Sequence, residues 1–175
     1  GWPWVVGTHS WVEPTALALL ALQRTGKAES ARAREATRLL LNRLLPEGGC
    51  NYGNTIVFGQ ALRSHLQPTG LVLVALRAEP DRDGRIGRSV AFLQRELNDQ
   101  TATASLSYGL LGLASHGAYP QDAARMLRAA ADRTLARDAS SYKLGLIALA
   151  ALGPRCPLGS GDWQAAQELE AEVGA

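Results

Sequence analysis

The sequence predicts an all-α protein, and three observations support this fold class. Ala and Leu supply most of the apolar residues, whereas the strand-favouring aromatics Phe and Tyr number only 2 and 4. Segments that are apolar on every side alternate with segments in which apolar residues recur at helical spacing. One apolar segment also recurs in nearly the same form further along the chain, which indicates a repeat.

The repeated segment joins a polar lead-in and a proline to an apolar helix. Its first copy is Glu13-Pro-Thr-Ala-Leu-Ala-Leu-Leu-Ala-Leu22, and its second is Gln67-Pro-Thr-Gly-Leu-Val-Leu-Val-Ala-Leu76. Proline fixes φ in the first turn of a helix, and an acidic side chain there complements the positive helix end. We therefore predict buried helices from Glu13 to about Thr25 and from Gln67 to Leu76.

The remaining segments continue the alternation between two helix types. Amphipathic, solvent-facing helices are predicted over residues 29–45, 85–97 and 120–137. Buried helices are predicted over residues 103–116 and 139–152, and a short polar helix over 162–172. Two loops are expected, one at residues 1–12, packed on the first helix, and one from Pro46 to about Leu66.

The order of the two helix types indicates how the helices are arranged. Buried and amphipathic helices alternate about four times, which fits an inner layer of apolar helices surrounded by an outer layer. A straight superhelix of helix hairpins is the alternative, but its helices are rarely apolar on every side. We favour a curved, concentric α/α arrangement in a single domain over residues 1–175, a length that can bury a sizeable core.

Charge and composition argue against several classes of protein. A formal net charge of +2 provides no broad field for nucleic acid or an anionic membrane. No uninterrupted apolar run reaches about 18 residues, so we predict no membrane span. The two cysteines, Cys50 and Cys156, are too few for a disulfide framework and match no zinc-binding spacing. We therefore expect a cytoplasmic protein without a metal or cofactor.

Several segments resemble the repeats of the prenyltransferase and squalene-cyclase superfamily. They are SWVEPTALALLAL, QPTGLVLVAL, SYGLLGLASHG and LLLNRLLPEGGCNYGN. Members of that superfamily form α/α toroids around a central cavity, so the resemblance implies a toroid of terpenoid cyclase and prenyltransferase type. A Gln and a Trp that link neighbouring repeats in the family correspond here to Asn42 and Cys50.

About four helix pairs do not close the ring of six that is typical of the superfamily. The chain is then an open partial toroid, a fragment of a longer protein, or half of an assembly; it opens on Gly1 rather than Met. An open end is expected to expose apolar flanks of the terminal helices. We therefore expect self-association or a missing repeat segment.

The catalytic motifs of the superfamily are not found in the sequence. The nearest match to the Asp-x-Asp-Asp of protonating cyclases is Asp81-Arg-Asp83-Gly84, which lacks the third acid. The resemblance therefore implies an apolar, isoprenoid-like ligand in the lumen and leaves the reaction unnamed. One alternative is a non-enzymatic helical-repeat scaffold that binds proteins through residues 9–13 and 51–54. Another is a carbohydrate-active α/α barrel with Glu13 and Asp138 as rim carboxylates.

Seven aromatic or polar side chains near the starts of the buried helices and in the Gly-rich turn are candidates for ligand binding. They are His9, Trp11, Glu13, Tyr52, Asn54, Tyr108 and Tyr142. Structural roles are the alternative for each: carboxylates such as Glu13, Asp99 and Asp138 can cap helices, and tyrosines can join repeats. The second copy does not keep His9, Trp11 or Glu13 at the corresponding positions, so these residues of the first copy are the most specific candidates.

Overall fold

A computed structural model describes residues 1–160, and over this range the chain is mostly helical with one two-stranded sheet. The helices are α1 (Val12–Arg24), α2 (Ala31–Arg43), α3 (Leu66–Ala75), α4 (Arg85–Glu96), α5 (Thr103–Ser115), α6 (Ala123–Arg137) and α7 (Ser141–Ala151). A 3-10 turn at Gly153–Arg155 and the short α8 (Pro157–Ser160) follow. The all-α prediction is confirmed, and the helix predicted over 162–172 lies outside the described residues.

A small β-hairpin interrupts the segment that was predicted to be a loop. Strand β1 (Ile56–Val57) pairs antiparallel with β2 (Gln60–Ala61). Phe58 and Gly59 form the tip with positive φ values of 50° and 77°. Each strand has only two residues, so no alternation of apolar and polar residues was long enough to predict them.

The odd-numbered helices α1, α3, α5 and α7 pack side by side in chain order and form an inner row. On the other side, α2 contacts α1, α4 contacts α3 and α5, and α6 contacts α5 and α7. Every residue from Pro68 to Leu76 is buried in or directly after α3. The end helices are less buried than predicted, since Leu17 of α1 is 44% exposed and Tyr142 of α7 is 59% exposed.

Glycines allow α3 and α5 to approach each other closely at the centre of the row. A Cβ atom at Gly70 would lie 2.2 Å from the carbonyl oxygen of Tyr108. A Cβ atom at Gly112 would lie 2.8 Å from the carbonyl oxygen of Gly70. Because a side chain at either position would collide with backbone, the two helices pack backbone against backbone.

Helices α1 and α3 begin in the same way, which shows the sequence repeat in three dimensions. The N-cap residue of each helix, Trp11 or His65, donates its backbone N–H to the preceding loop at 3.0 or 2.8 Å. A loop N–H in turn donates to the Oγ1 of Thr15 or Thr69, at 2.9 Å in both cases. Trp11 and His65 are therefore structural equivalents in the two copies.

Within residues 1–160, no helix is long and apolar enough to cross a bilayer. The longest, α6, has 15 residues and carries several arginines.

Candidate functional site

A groove of about 430 Å³ lies where the loops before α1 and α3 meet. Four of the seven predicted site residues line it: His9, Trp11, Tyr52 and Asn54. We call it the rim groove. Its other lining residues are Asn51, Gly53, Val57, Leu62, Arg63 and His65.

One wall of the rim groove is an aromatic pair held by backbone hydrogen bonds. The rings of His9 and Trp11 lie 4.5 Å apart between centroids, tilted by 38°. The indole of Trp11 passes over Gly53, where a Cβ atom would lie only 3.4 Å from the ring. The N–H of Val12 donates to the carbonyl of Tyr52 at 2.9 Å, which joins the two loops.

The turn at residues 51–54 is shaped by one buried amide. Asn51 accepts a hydrogen bond on Oδ1 from the N–H of Gly53 at 2.9 Å, as Asn side chains commonly do in turns. Its Nδ2 donates to the carbonyl of Asn54 at 2.8 Å. The Asn51 side chain is thus buried in the turn, whereas Tyr52 and Asn54 are exposed.

The opposite wall contains two residues that were not predicted, Arg63 and His65. The imidazole of His65 packs on Tyr52 with 5.2 Å between ring centroids and a tilt of 42°. The repeat offers the signal that could have found them, because Arg63 and His65 occupy the places of His9 and Trp11 in the second copy. The rim groove is thus built from equivalent positions of two repeats.

The rim groove is basic in character. Its lining includes one guanidinium and two imidazoles but no carboxylate. Within residues 1–160, the Arg63 guanidinium has no hydrogen-bond or salt-bridge partner. The groove therefore offers hydrogen-bond donors and a positive charge to whatever enters it.

A second groove, of about 630 Å³, adjoins the first and shares Tyr52, Arg63 and His65 with it. It extends along α4 past Phe92 to the Arg95–Glu96 ion pair, whose charged atoms lie 2.9 Å apart. Both acidic and basic side chains line this second groove, whereas the charged side chain that lines the rim groove is basic.

Of the other three predicted residues, Glu13 and Tyr142 lie at the starts of α1 and α7. Tyr108 was expected near the start of a buried helix but lies in the middle of α5, because this helix already begins at Thr103. Oε1 of Glu13 accepts a hydrogen bond from the Gln67 side chain at 2.8 Å. The hydroxyls of Tyr108 and Tyr142 lie 3.3 Å apart. Burial, the Tyr142 hydroxyl and the Glu13 carboxylate raise the pKa of Tyr108. Burial and Glu13 also raise the pKa of Tyr52, so Glu13 influences both tyrosines without lining the groove.

None of the three carboxylates is the N-cap residue of its helix, although Glu13 lies in the first turn of α1, where it complements the positive helix end. At the start of α7 the cap is Ser140, which accepts from the N–H of Lys143, whereas Asp138 pairs with the Lys143 ammonium at 2.6 Å. The Lys143 contact lowers the pKa of Asp138. Asp99 pairs with Arg125, and Glu13 bonds to Gln67 instead of to its own first turn. Asp138 also accepts the backbone N–H of Ser140 at 3.3 Å, whereas the side-chain partners of Asp99 and Glu13 are an arginine and an amide.

Cys50 lies near the rim groove but its thiol is not in a reactive form. Cys50 is completely buried, and this burial raises the pKa of its thiol to about 12, which keeps it protonated at neutral pH. Among residues 1–160, no group of three His, Cys, Asp or Glu side chains is placed to hold a metal ion.

Comparison with models of protein families, with curated proteins and with solved structures gave no match. The function of the chain is therefore inferred from the geometry of the rim groove and from the side chains around it.

Proposed function

We propose that this chain is a non-enzymatic helical-repeat domain that binds another protein through the rim groove and the two loops beside it. The observation that carries the proposal is the meeting of His9, Trp11, Tyr52 and Asn54 in one groove. Aromatic residues of this kind supply most of the binding energy at protein interfaces.

Apolar side chains beside the groove strengthen the case for a protein partner. Phe58 at the hairpin tip is fully exposed, and Val6 in the N-terminal loop is 96% exposed. Their neighbours Trp4, Val5 and Ile56 are also exposed. We call residues 4–6 and 56–58 the rim loops. Each of the two loops thus exposes three consecutive apolar side chains, and contiguous exposed apolar surface marks sites where a partner binds.

A ligand in the lumen has less support from the packing. An apolar ligand needs free apolar surface on the inner helices, yet α3 is buried along Pro68 to Leu76, and Leu73 and Leu76 have no exposed surface. The isoprenoid-like ligand stays a prediction that depends on the resemblance of the repeats. We further propose that the inner row is an arc of an α/α toroid, with α1 and α7 at its open ends.

Site-specific photo-crosslinking tests the proposal. Benzoylphenylalanine replaces Phe58 in the full chain expressed in its native host, and the control places it at Leu135 of α6, which is 58% exposed and lies outside the rim. We expect an adduct of higher mass with the probe at position 58 and none with the probe at 135. Equal labelling at both positions, or none at 58, contradicts the proposal. An adduct of twice the chain mass identifies a second copy as the partner.

A thermal-shift series separates rim binding from lumen binding. Polyprenyl diphosphates and squalene-like hydrocarbons are added to the purified chain, and the melting temperature is followed against concentration. Binding to the native state raises this temperature by mass action. We expect no shift, whereas a concentration-dependent rise favours a lumen that takes apolar ligands.

A further inference from the structure

We infer that the rim groove receives a carboxylate side chain from an acidic segment of the partner protein, whose neighbouring apolar residues pack on the hairpin. This inference rests on the proposed function and names the chemistry of the partner. It follows from the charge, the donors and the apolar lining of the rim groove.

The positive charge of the rim groove comes from Arg63, which is not engaged in an ion pair within residues 1–160. Arg63 is also exposed. A guanidinium presents a planar fork of N–H donors that matches the two oxygens of a carboxylate. Arg63 is therefore the residue expected to bind the partner's acidic group.

The two imidazoles extend this donor set on either side. His9 packs on Trp11, and His65 packs on Tyr52, so both rings are held in place by aromatic neighbours. A neutral imidazole still carries one N–H donor, and a protonated one carries two. Donors from both repeats thus line a groove without a competing carboxylate.

Apolar residues at one side of the groove complete the match. Val57 and Leu62 line it, and Phe58 projects from the same hairpin. A purely acidic segment would leave this surface in water, whereas one that carries Leu or Phe beside its acids would cover it. The favoured partner segment therefore combines both residue types.

An anionic membrane also carries negative charge that could bind Arg63, but it matches the rim groove less well than a carboxylate side chain does. Sequences that bind anionic headgroups carry clusters of about four to eight basic residues. The loops over residues 1–12 and 51–65 contain a single one, Arg63. One guanidinium beside a groove of about 430 Å³ suits a side chain better than a lipid surface.

Fluorescence anisotropy with three labelled peptides of about 12 residues tests the inference on the full chain. The first alternates Glu with Leu and Phe, the second replaces Leu and Phe with Ser, and the third replaces Glu with Lys. We expect the first peptide to bind most tightly and the lysine peptide not to bind. Equal binding of the glutamate and lysine peptides overturns the inference.

Substitutions at Arg63 provide the matched comparison. We expect Arg63→Ala to lower the affinity for the peptide of Glu, Leu and Phe by about tenfold, since removing one partner of a charge pair costs affinity. Arg63→Glu should lower it further. Arg128→Ala, an exposed arginine of α6 outside the groove, should leave binding unchanged. Unchanged affinity in Arg63→Glu overturns the inference even if every variant folds.

Two further outcomes separate this inference from the proposed function. If vesicles of phosphatidylserine and phosphatidylcholine bind the chain and Arg63→Glu abolishes that binding, the partner is a membrane and the inference is wrong. If the crosslink at position 58 forms but no acidic peptide binds, the inference fails while the proposed function stands. If the crosslink is absent, the proposed function itself fails.

Discussion

Gln67 donates its side-chain amide to the carboxylate of Glu13 at 2.8 Å, and these two residues hold the same position in successive copies of the repeat. The same relation recurs at the other end of the helices, where Arg77 donates to the side-chain oxygen of Gln23 at 2.7 Å. Both pairs are 54 residues apart in sequence. Helices α1 and α3 therefore contact each other through equivalent positions, as neighbouring units of a repeat protein do.

The Glu13–Gln67 contact should contribute measurably to stability. Because a hydrogen bond to a charged group is worth about 1.5–3 kcal/mol when buried and less when partly exposed, we expect Gln67→Ala to lower the free energy of unfolding by about 1 kcal/mol. Gln94→Ala, at an exposed position of α4, serves as the control and should change it by less than about 0.5 kcal/mol. Urea unfolding measures both; equal effects of the two variants would show that the pair contributes nothing.

Gly70 and Gly145 provide a matched pair of glycine substitutions in two inner helices. A Cβ atom at Gly70 meets the Tyr108 carbonyl, so we expect Gly70→Ala to destabilise the fold by about 2 kcal/mol or more. Gly145 is exposed and has no atom within 4 Å of the added Cβ, so Gly145→Ala should stabilise by about 0.5–1 kcal/mol. Thermal unfolding distinguishes the two, and a tolerated Gly70→Ala would contradict the close packing of α3 on α5.

The buried thiol of Cys50 predicts a loss of stability at alkaline pH. Its pKa is about 12 in the folded chain and near 9.0 as a free thiol. Above pH 9 the unfolded chain releases this proton while the folded chain keeps it, so the free energy of unfolding falls by up to about 1.4 kcal/mol per pH unit until about pH 12.

Urea unfolding of the wild type and of Cys50→Ala at pH 8, 9 and 10 measures this effect. The variant lacks the thiol, so its stability should fall less steeply above pH 9. The tyrosines whose pKa values are raised, Tyr52, Tyr108 and Tyr119, contribute in the same direction in both proteins. Cys50 adds to the raised pKa of Tyr52, so removing the thiol changes the tyrosine contribution in the same direction as the expected difference. The same slope in both proteins would mean that the thiol is accessible to water.

The helices could be predicted from sequence because their causes are local. Apolar periodicity and the prolines at the starts of α1 and α3 determine where the helices lie, and every helix of α1–α7 was expected. The exposed flanks of α1 and α7 follow from their places at the ends of the row. The sequence of one helix does not indicate whether that helix lies at the centre or at the end of the row.

Of the residues that line the rim groove, those in the loop before α1 could be predicted from the sequence, but Arg63 and His65 could not be singled out. Tryptophan and histidine stand out in the loop before α1, whereas Arg63 and His65 are ordinary residues in a segment with weak periodicity. They belong to the site because the repeat superimposes them on His9 and Trp11. Aligning the lead-ins of the two copies, as well as their helices, would have predicted them.

The yield of the Phe58 crosslink in a Trp11→Ala background tests most directly whether the rim groove and the hairpin act as one binding surface. Trp11 stacks on His9 and covers Gly53, and truncating an aromatic anchor of an interface costs about 1 kcal/mol or more, which is about fivefold in affinity. With the melting temperature checked in parallel, we expect the adduct at position 58 to fall about fivefold or more at limiting partner concentration. An unchanged yield from a folded variant would contradict the account.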